Sequence, residues 1–134
     1  MENDLTEFEN EYTWGKAIVS NSADKFHADF DKAIDEVQKE LGKKYPLIIN
    51  GKEVYSDDCF TASSPSDTRI AVAEFPKASA DDTQNAISCA KNAFEKWSNT
   101  TYQKRAEIFK ECANVLSSRK FFLAAIMTFE NGKN

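Results

Sequence analysis

Three cysteines and one histidine are the side chains of this 134-residue chain best suited to nucleophilic chemistry. Cys59, Cys89 and Cys112 are widely spaced, and no Cys-x-x-Cys pair occurs. A cysteine activated by His27 could attack a carbonyl carbon, and the sequence neither supports nor excludes that pairing. Cys89 and Cys112 lie beside apolar helical positions, where cysteine acts as a small hydrophobic residue. We therefore predict free, buried or half-buried thiols, with no disulfide framework and no zinc site.

The remaining titratable candidates have simpler structural interpretations. His27 stands in a charged helical segment beside Lys25 and Asp29, which favours a solvated surface histidine over a general base. Two carboxylate pairs could support acid–base chemistry, Asp57-Asp58 and Asp81-Asp82. The first falls in a predicted turn, and the second in the first turn of a predicted helix, where acidic groups complement the helix dipole. The residues predict no catalytic side chain and no metal ligand here.

Glycine-rich phosphate loops are also missing from the sequence. The four glycines, Gly15, Gly42, Gly51 and Gly132, match neither G-x-G-x-x-G nor G-x-x-x-x-G-K. Close approach of backbone to a phosphate usually requires such a loop. We therefore predict that no cofactor-binding residue lies in this segment and that no cofactor binds it alone.

Charge and hydropathy exclude further classes of protein. The net charge is −5, and residues 1–45 hold 11 acidic and 6 basic side chains, against 11 of each in residues 46–134. Because the chain has no excess of basic residues that could form a basic face, no nucleic-acid partner is predicted. The longest apolar run, residues 121–127, is too short to span a bilayer, so no membrane partner is predicted. The first residues lack the basic and apolar regions of a secretory signal, so we expect a cytoplasmic protein.

Two elements are predicted in residues 1–45, an acidic arm and an amphipathic helix. Residues 1–21 have little periodicity but several aromatic side chains, which indicates an extended arm that docks onto another surface. From Ser22 to Gly42 the apolar residues follow a helical period, with Ser22 as the N-cap and Gly42 as the stop. The predicted apolar stripe consists of Phe26, Phe30, Ala33, Ile34, Val37 and Leu41.

Residues 46–134 are predicted to form a hairpin, further short strands and three helices. Asn50-Gly51 between apolar runs predicts a type I′ turn, and residues 60–63 and 69–75 read as strands, the latter closed by Pro76. Ser79 caps a helix whose Phe94 and Trp97 are expected in the core, and Thr100 or Thr101 opens the next. Residues 121–129 are apolar on nearly every face, which predicts burial against a partner surface, and Gly132 ends that helix. The fold class is therefore α+β and helix-rich.

Several short motifs follow one another in the second part of the chain. They are Tyr45–Val54, Ser64-Pro65-Ser66, Ala78-Ser79, Ala86–Trp97, Arg105–Phe109 and Glu130–Lys133. Each motif is weak alone, but together they span about 90 residues, and their order resembles the front of the aldehyde dehydrogenase superfamily. Ser64 stands where asparagine before the proline is commoner in the family. The resemblance implies the N-terminal portion of an aldehyde dehydrogenase-like α/β fold, with residues 46–134 resembling the front of the cofactor-binding domain.

The first 45 residues and the last three are similar to one branch, the L-glutamate γ-semialdehyde (pyrroline-carboxylate) dehydrogenases. Phe8–Glu11, Glu40–Pro46 and Gly132–Asn134 carry this resemblance. It implies a parent enzyme that oxidises the semialdehyde to glutamate during proline degradation, using NAD or NADP, as a homo-oligomer. The family's nucleophilic cysteine, general base and cofactor strands correspond to positions beyond Asn134. The resemblance therefore implies a truncated segment with a scaffolding role and no activity of its own. Its expected partner is the rest of the dehydrogenase or a complementing chain. The alternative is a stand-alone interaction module that docks through the apolar C-terminal helix.

Overall fold

The computed structural model describes residues 14–133, which form five helices and five short strands in this range. In chain order they are α1 (Trp14–Val19), α2 (Ala23–Gln38), β1 (Lys43–Lys44), β2 (Leu47–Ile49), β3 (Lys52–Val54), β4 (Cys59–Ser63), β5 (Ala71–Pro76), α3 (Ala80–Ser98), α4 (Tyr102–Ser118) and α5 (Lys120–Asn131). The mixture of helices and small sheets confirms the predicted α+β class.

The hydrophobic core lies between α2 and α5. Ala33, Val37 and Ala125 are buried there, and small alanine side chains allow the two helices to approach closely. Seven larger side chains surround them, namely Phe30, Ile34, Leu41, Phe121, Phe122, Ile126 and Phe129. The predicted apolar stripe of α2 is therefore confirmed, and α5 contributes most of the opposing surface.

The amino-terminal part of the described chain corrects the prediction of an extended arm. Trp14–Val19 form a short helix, because Ala17 is fully buried and the Trp14 ring packs 4.6 Å from the His27 ring, centroid to centroid. Residues 1–13, including Phe8–Glu11, lie outside the described residues. Ser22 occupies the predicted N-cap position of α2, but its hydroxyl donates back to the Ala17 carbonyl at 3.3 Å and makes no side-chain capping bond.

The end of α2 differs from the prediction for a tertiary reason. The helix stops at Gln38, and Gly42 adopts the predicted positive φ of +74° four residues later. There the Gly42 N–H donates to the Val72 carbonyl at 3.1 Å, which leads Lys43-Lys44 into a parallel pairing with β5. Two lysines carry no strand pattern, so only this pairing makes them a strand. The resulting sheet has the order β1-β5-β4.

The hairpin and the helix caps agree with the sequence. β2 and β3 pair in antiparallel fashion around Asn50 and Gly51, which have φ of +53° and +70° as a type I′ turn requires. Ser79 and Asp82 form a reciprocal capping box at the start of α3, and the Thr101 hydroxyl accepts from the Lys104 N–H at the start of α4. Local sequence therefore determines where these elements begin.

Candidate functional site

The three cysteines lie on three different elements, β4, α3 and α4. Cys59 on β4 is half-buried, and its Sγ donates to the Ser56 carbonyl at 3.0 Å. Burial raises the pKa of the Cys59 thiol, and the neighbouring Glu74 carboxylate raises it further. A raised pKa disfavours the thiolate, which is the nucleophilic form. Cys89 on α3 is half-buried, whereas Cys112 on α4 is exposed, which corrects the expectation of a buried or half-buried thiol there.

His27 is exposed on α2, as predicted, and its neighbour is an aromatic ring. The Trp14 indole covers one side of the imidazole, and the three cysteines lie on β4, α3 and α4. A general base takes a proton from a group positioned within hydrogen-bond reach, whereas the described contact of His27 is with the Trp14 ring. The contacts of His27 therefore explain a packing role at the junction of α1 and α2.

The two aspartate pairs have structural partners. The Asp82 carboxylate accepts from the backbone N–H and the hydroxyl of Ser79, at 3.0 and 2.6 Å, and these hydrogen bonds hold its pKa below the ordinary value. Asp58 forms an exposed ion pair with Lys77 at 2.7 Å.

Within residues 14–133, no group of three His, Cys, Asp or Glu side chains is arranged to hold a metal ion. No helix in the same range is long and apolar enough to cross a membrane.

One polar cluster, on the three-stranded sheet, was not anticipated from the sequence. Lys44 of β1 pairs with Glu74 of β5 at 2.8 Å, and the Cys59 thiol of β4 adjoins the same carboxylate. The hydrogen bond with Lys44 holds the pKa of Glu74 low, and the same bond raises the pKa of Lys44. The three groups come together only because the three strands pair. The positive charge of Lys44 balances the negative charge of Glu74, and the Cys59 thiol lies beside this ion pair.

An apolar groove of about 770 Å³ lies between α2, α5 and the sheet. Val37, Leu41 and Phe75 line one side, and Phe122 and Ile126 of α5 line the other. Charged groups stand among the lining residues, namely Glu36, Lys39, Glu40, Arg119 and Glu130. The groove can bind an apolar segment, but it contains no convergent set of reacting groups.

Helices α3 and α4 contribute no buried residue to the described structure. Phe94 is 66% exposed and Trp97 is 45% exposed, so the prediction that both belong to the core is wrong for this chain. On α4, Phe109 is 69% exposed. The two helices have the amphipathic pattern of packed helices, yet the large apolar side chains on them are exposed.

Comparisons with known proteins identify a matching family and similar sequences. Residues 53–134 match the sequence model of the aldehyde dehydrogenase family. The chain is 34% identical over 129 residues to the 1-pyrroline-5-carboxylate dehydrogenase of Staphylococcus aureus strain MW2, covering 96% of this chain and 24% of that protein. The protein of the same description from Oceanobacillus iheyensis is 33% identical over 105 residues, covering 78% of this chain and 20% of that protein.

A solved structure shares the fold. The 1-pyrroline-5-carboxylate dehydrogenase from Thermus with bound NAD superposes with a TM-score of 0.78 at 28% identity, covering 81% of this chain and 21% of that one. The chain thus spans about a fifth to a quarter of the length of the relatives it matches. With more than half of its residues in the family match, this chain belongs to the aldehyde dehydrogenase family.

Proposed function

We propose that this chain is the N-terminal part of a 1-pyrroline-5-carboxylate dehydrogenase, which oxidises L-glutamate γ-semialdehyde to glutamate with NAD or NADP as the hydride acceptor. The observation that carries this proposal is the 34% identity to the S. aureus relative over nearly the whole chain. The Thermus relative with bound NAD supports a nicotinamide cofactor for the complete protein. Three further points stay predictions, namely homo-oligomeric assembly, a cytoplasmic location and the division into residues 1–45 and 46–134.

Within that enzyme, the role of this chain is scaffolding. Burial and the neighbouring Glu74 carboxylate raise the pKa of the Cys59 thiol, and His27 packs against Trp14. Both observations support an inactive segment, because aldehyde oxidation by this family needs a cysteine thiolate and a general base. We expect those groups, and the cofactor site, on the chain that follows this segment in its relatives.

Two activity measurements test this proposal. The purified 134-residue chain is given glutamate semialdehyde with NAD or NADP, and reduced cofactor is followed by its near-ultraviolet absorbance. We expect no turnover. A chimera is then made in which this chain replaces the aligned part of the S. aureus relative, and we expect semialdehyde oxidation to be retained. Turnover by the chain alone would refute the scaffolding role, and a folded but inactive chimera would refute membership of this branch.

A second candidate function is an assembly module that docks through α5, and the groove beside that helix favours it. Phe122, Leu123, Ile126 and Phe129 present apolar surface to the groove from α5. Exposed apolar surface of this kind marks sites of association with other polypeptides. Light scattering of the purified chain tests the idea, and a compact, strictly monomeric chain would argue against it.

A further inference from the structure

Two Asn-Gly dipeptides lie at very different places in the fold. Asn50-Gly51 forms the turn between β2 and β3, and Asn131-Gly132 lies at the end of α5. A glycine after asparagine has no side chain to shield its backbone nitrogen, so that nitrogen can approach the asparagine amide carbon. All four residues are exposed to solvent. Because residue type and exposure are alike, a difference in reactivity between the two sites must come from the backbone around them.

The backbone at Asn50-Gly51 leaves the reacting groups open. A Cβ atom built on Gly51 would have no atom beyond its chain neighbours within 4 Å. Among the hydrogen bonds of residues 14–133, none has the Gly51 N–H as its donor. The turn joins a two-stranded sheet with three residues in each strand, and such a hairpin is marginally stable by itself. Movement of this turn therefore costs little free energy.

The backbone at Asn131-Gly132 is held in place. The Gly132 N–H donates to the Thr128 carbonyl at 3.0 Å, so the nitrogen that would attack is committed to the last turn of α5. The turn after β4 also adjoins Gly132 closely, because an added Cβ would lie 2.8 Å from the Ser66 hydroxyl oxygen. In addition, α5 forms one side of the hydrophobic core. Reaction at this site requires local opening of a packed helix end.

We propose that Asn50 is a site of spontaneous deamidation and that the fold protects Asn131 from the same reaction. The Gly51 nitrogen loses its proton and forms a bond to Cγ of Asn50. The Cγ–Nδ2 bond breaks, and ammonia leaves with a proton equivalent to the one lost. Water then opens the resulting succinimide ring at either of its carbonyl carbons, so that water is consumed and ammonia is released overall. The products are aspartate and isoaspartate, in which the backbone continues through the former side chain.

The two products differ in their effect on the hairpin. Aspartate before glycine is compatible with a type I′ turn and adds one negative charge. Isoaspartate instead adds a carbon atom to the backbone of a two-residue turn, which alters the geometry that pairs Ile49 with Lys52. Because β2 also contacts α3, loosening of the hairpin should weaken the attachment of that helix.

Peptide mapping of the folded chain during incubation in mildly alkaline buffer tests the proposal. Trypsin releases residues 45–52 and 121–133 as separate peptides, each with a single asparagine. Mass spectrometry detects the replacement of the amide by a carboxyl group, and chromatography separates aspartate from isoaspartate. Digestion at mildly acidic pH limits further reaction during the work-up. A parallel incubation in guanidinium chloride provides the two rates in the unfolded chain.

We expect Asn50 to react at least about tenfold faster than Asn131 in the folded chain, and the two rates to become similar in guanidinium chloride. Equal rates in the folded chain, or a difference that persists unchanged in the unfolded chain, would overturn the proposal. Complete protection of Asn50 by folding would also overturn it.

Asn50→Asp is the matched control for the structural consequence, because it carries the added charge without the added backbone atom. Freshly purified Asn50→Asp should unfold at the same urea concentration as the parent chain. The fraction that contains isoaspartate, isolated by chromatography, should unfold at a lower concentration. An isoaspartate fraction as stable as the parent would contradict the loss of hairpin pairing.

Discussion

A Cβ atom built on Gly132 would stand 2.8 Å from the Ser66 hydroxyl oxygen and 3.3 Å from Cγ of Pro65. The C-terminal end of α5 therefore rests directly on the turn that follows β4. Gly132 also has a φ of +64°, where residues with a side chain are strained. Two separate requirements, space and backbone conformation, make glycine necessary at this one position.

The first prediction separates those two requirements. Gly132→Ala should lower the free energy of unfolding by about 2–3 kcal/mol, since it adds a steric contact to the cost of a positive φ. Gly42→Ala is the matched control, because Gly42 has a φ of +74° with no atom within 4 Å of its added Cβ. It should cost only about 1 kcal/mol. Urea unfolding measures both, and equal losses would show that the contact with Ser66 is relieved at no cost.

The second prediction concerns the core between α2 and α5. Val37 is 2% exposed and Val19 is 90% exposed, so the same substitution can be compared in two environments. Val37→Ala should destabilise the chain by about 2 kcal/mol, through lost burial and the cavity left behind, and Val19→Ala by less than about 0.5 kcal/mol. Thermal and urea unfolding provide the comparison. Similar values for the two variants would contradict the position of the core.

The third prediction concerns the docking of α1. Ala17 is fully buried, and the Trp14 ring lies against Phe26 and His27. Ala17→Asp should release α1 from α2, because an aspartate cannot be accommodated in that contact without an unpaired buried charge. In a Trp97→Phe background, Trp14 is the one remaining tryptophan. Its fluorescence emission should shift to longer wavelength because the ring becomes more exposed to water. An unshifted emission in that variant would mean that α1 does not depend on Ala17.

The fourth prediction is a pH dependence at the start of α3. The Ser79 side chain and backbone hydrogen bonds hold the pKa of Asp82 below its ordinary value of about 4. As the pH falls, the Asp82 carboxylate is therefore protonated at a higher pH in the unfolded chain than in the folded chain. The stability that the ionised group contributes is present above that ordinary value and is lost as the pH falls through the lower folded value.

Melting temperature as a function of pH measures this effect. Asp82→Asn should melt below the parent chain at neutral pH, and the difference should shrink as the pH falls below about 4. Asp81→Asn is the control, because Asp81 lies in the same first turn and takes no part in the capping box. A difference between the parent and Asp82→Asn that does not change with pH would contradict the role of the capping carboxylate.

The sequence alone determined the elements whose signals are local. Asn50-Gly51 requires a turn with two positive φ angles, Ser79 and Asp82 close a capping box within four residues, and Gly132 ends α5. Each of these depends on groups that are neighbours in the chain, so residue type and spacing suffice. The period of Ala33 and Val37 likewise identified the buried side of α2.

Only the tertiary structure decided the features that depend on distant groups. Lys43-Lys44 become a strand because β5 is beside them, and the Ser22 hydroxyl at the N-cap of α2 donates to the Ala17 carbonyl instead of making a capping bond. The exposure of Phe94 and Trp97 could not be read from their helical period. An apolar stripe shows which side of a helix favours burial, but the surface that buries it belongs to another segment. Periodicity can therefore be read from one segment of sequence, whereas burial depends on the packing of two segments.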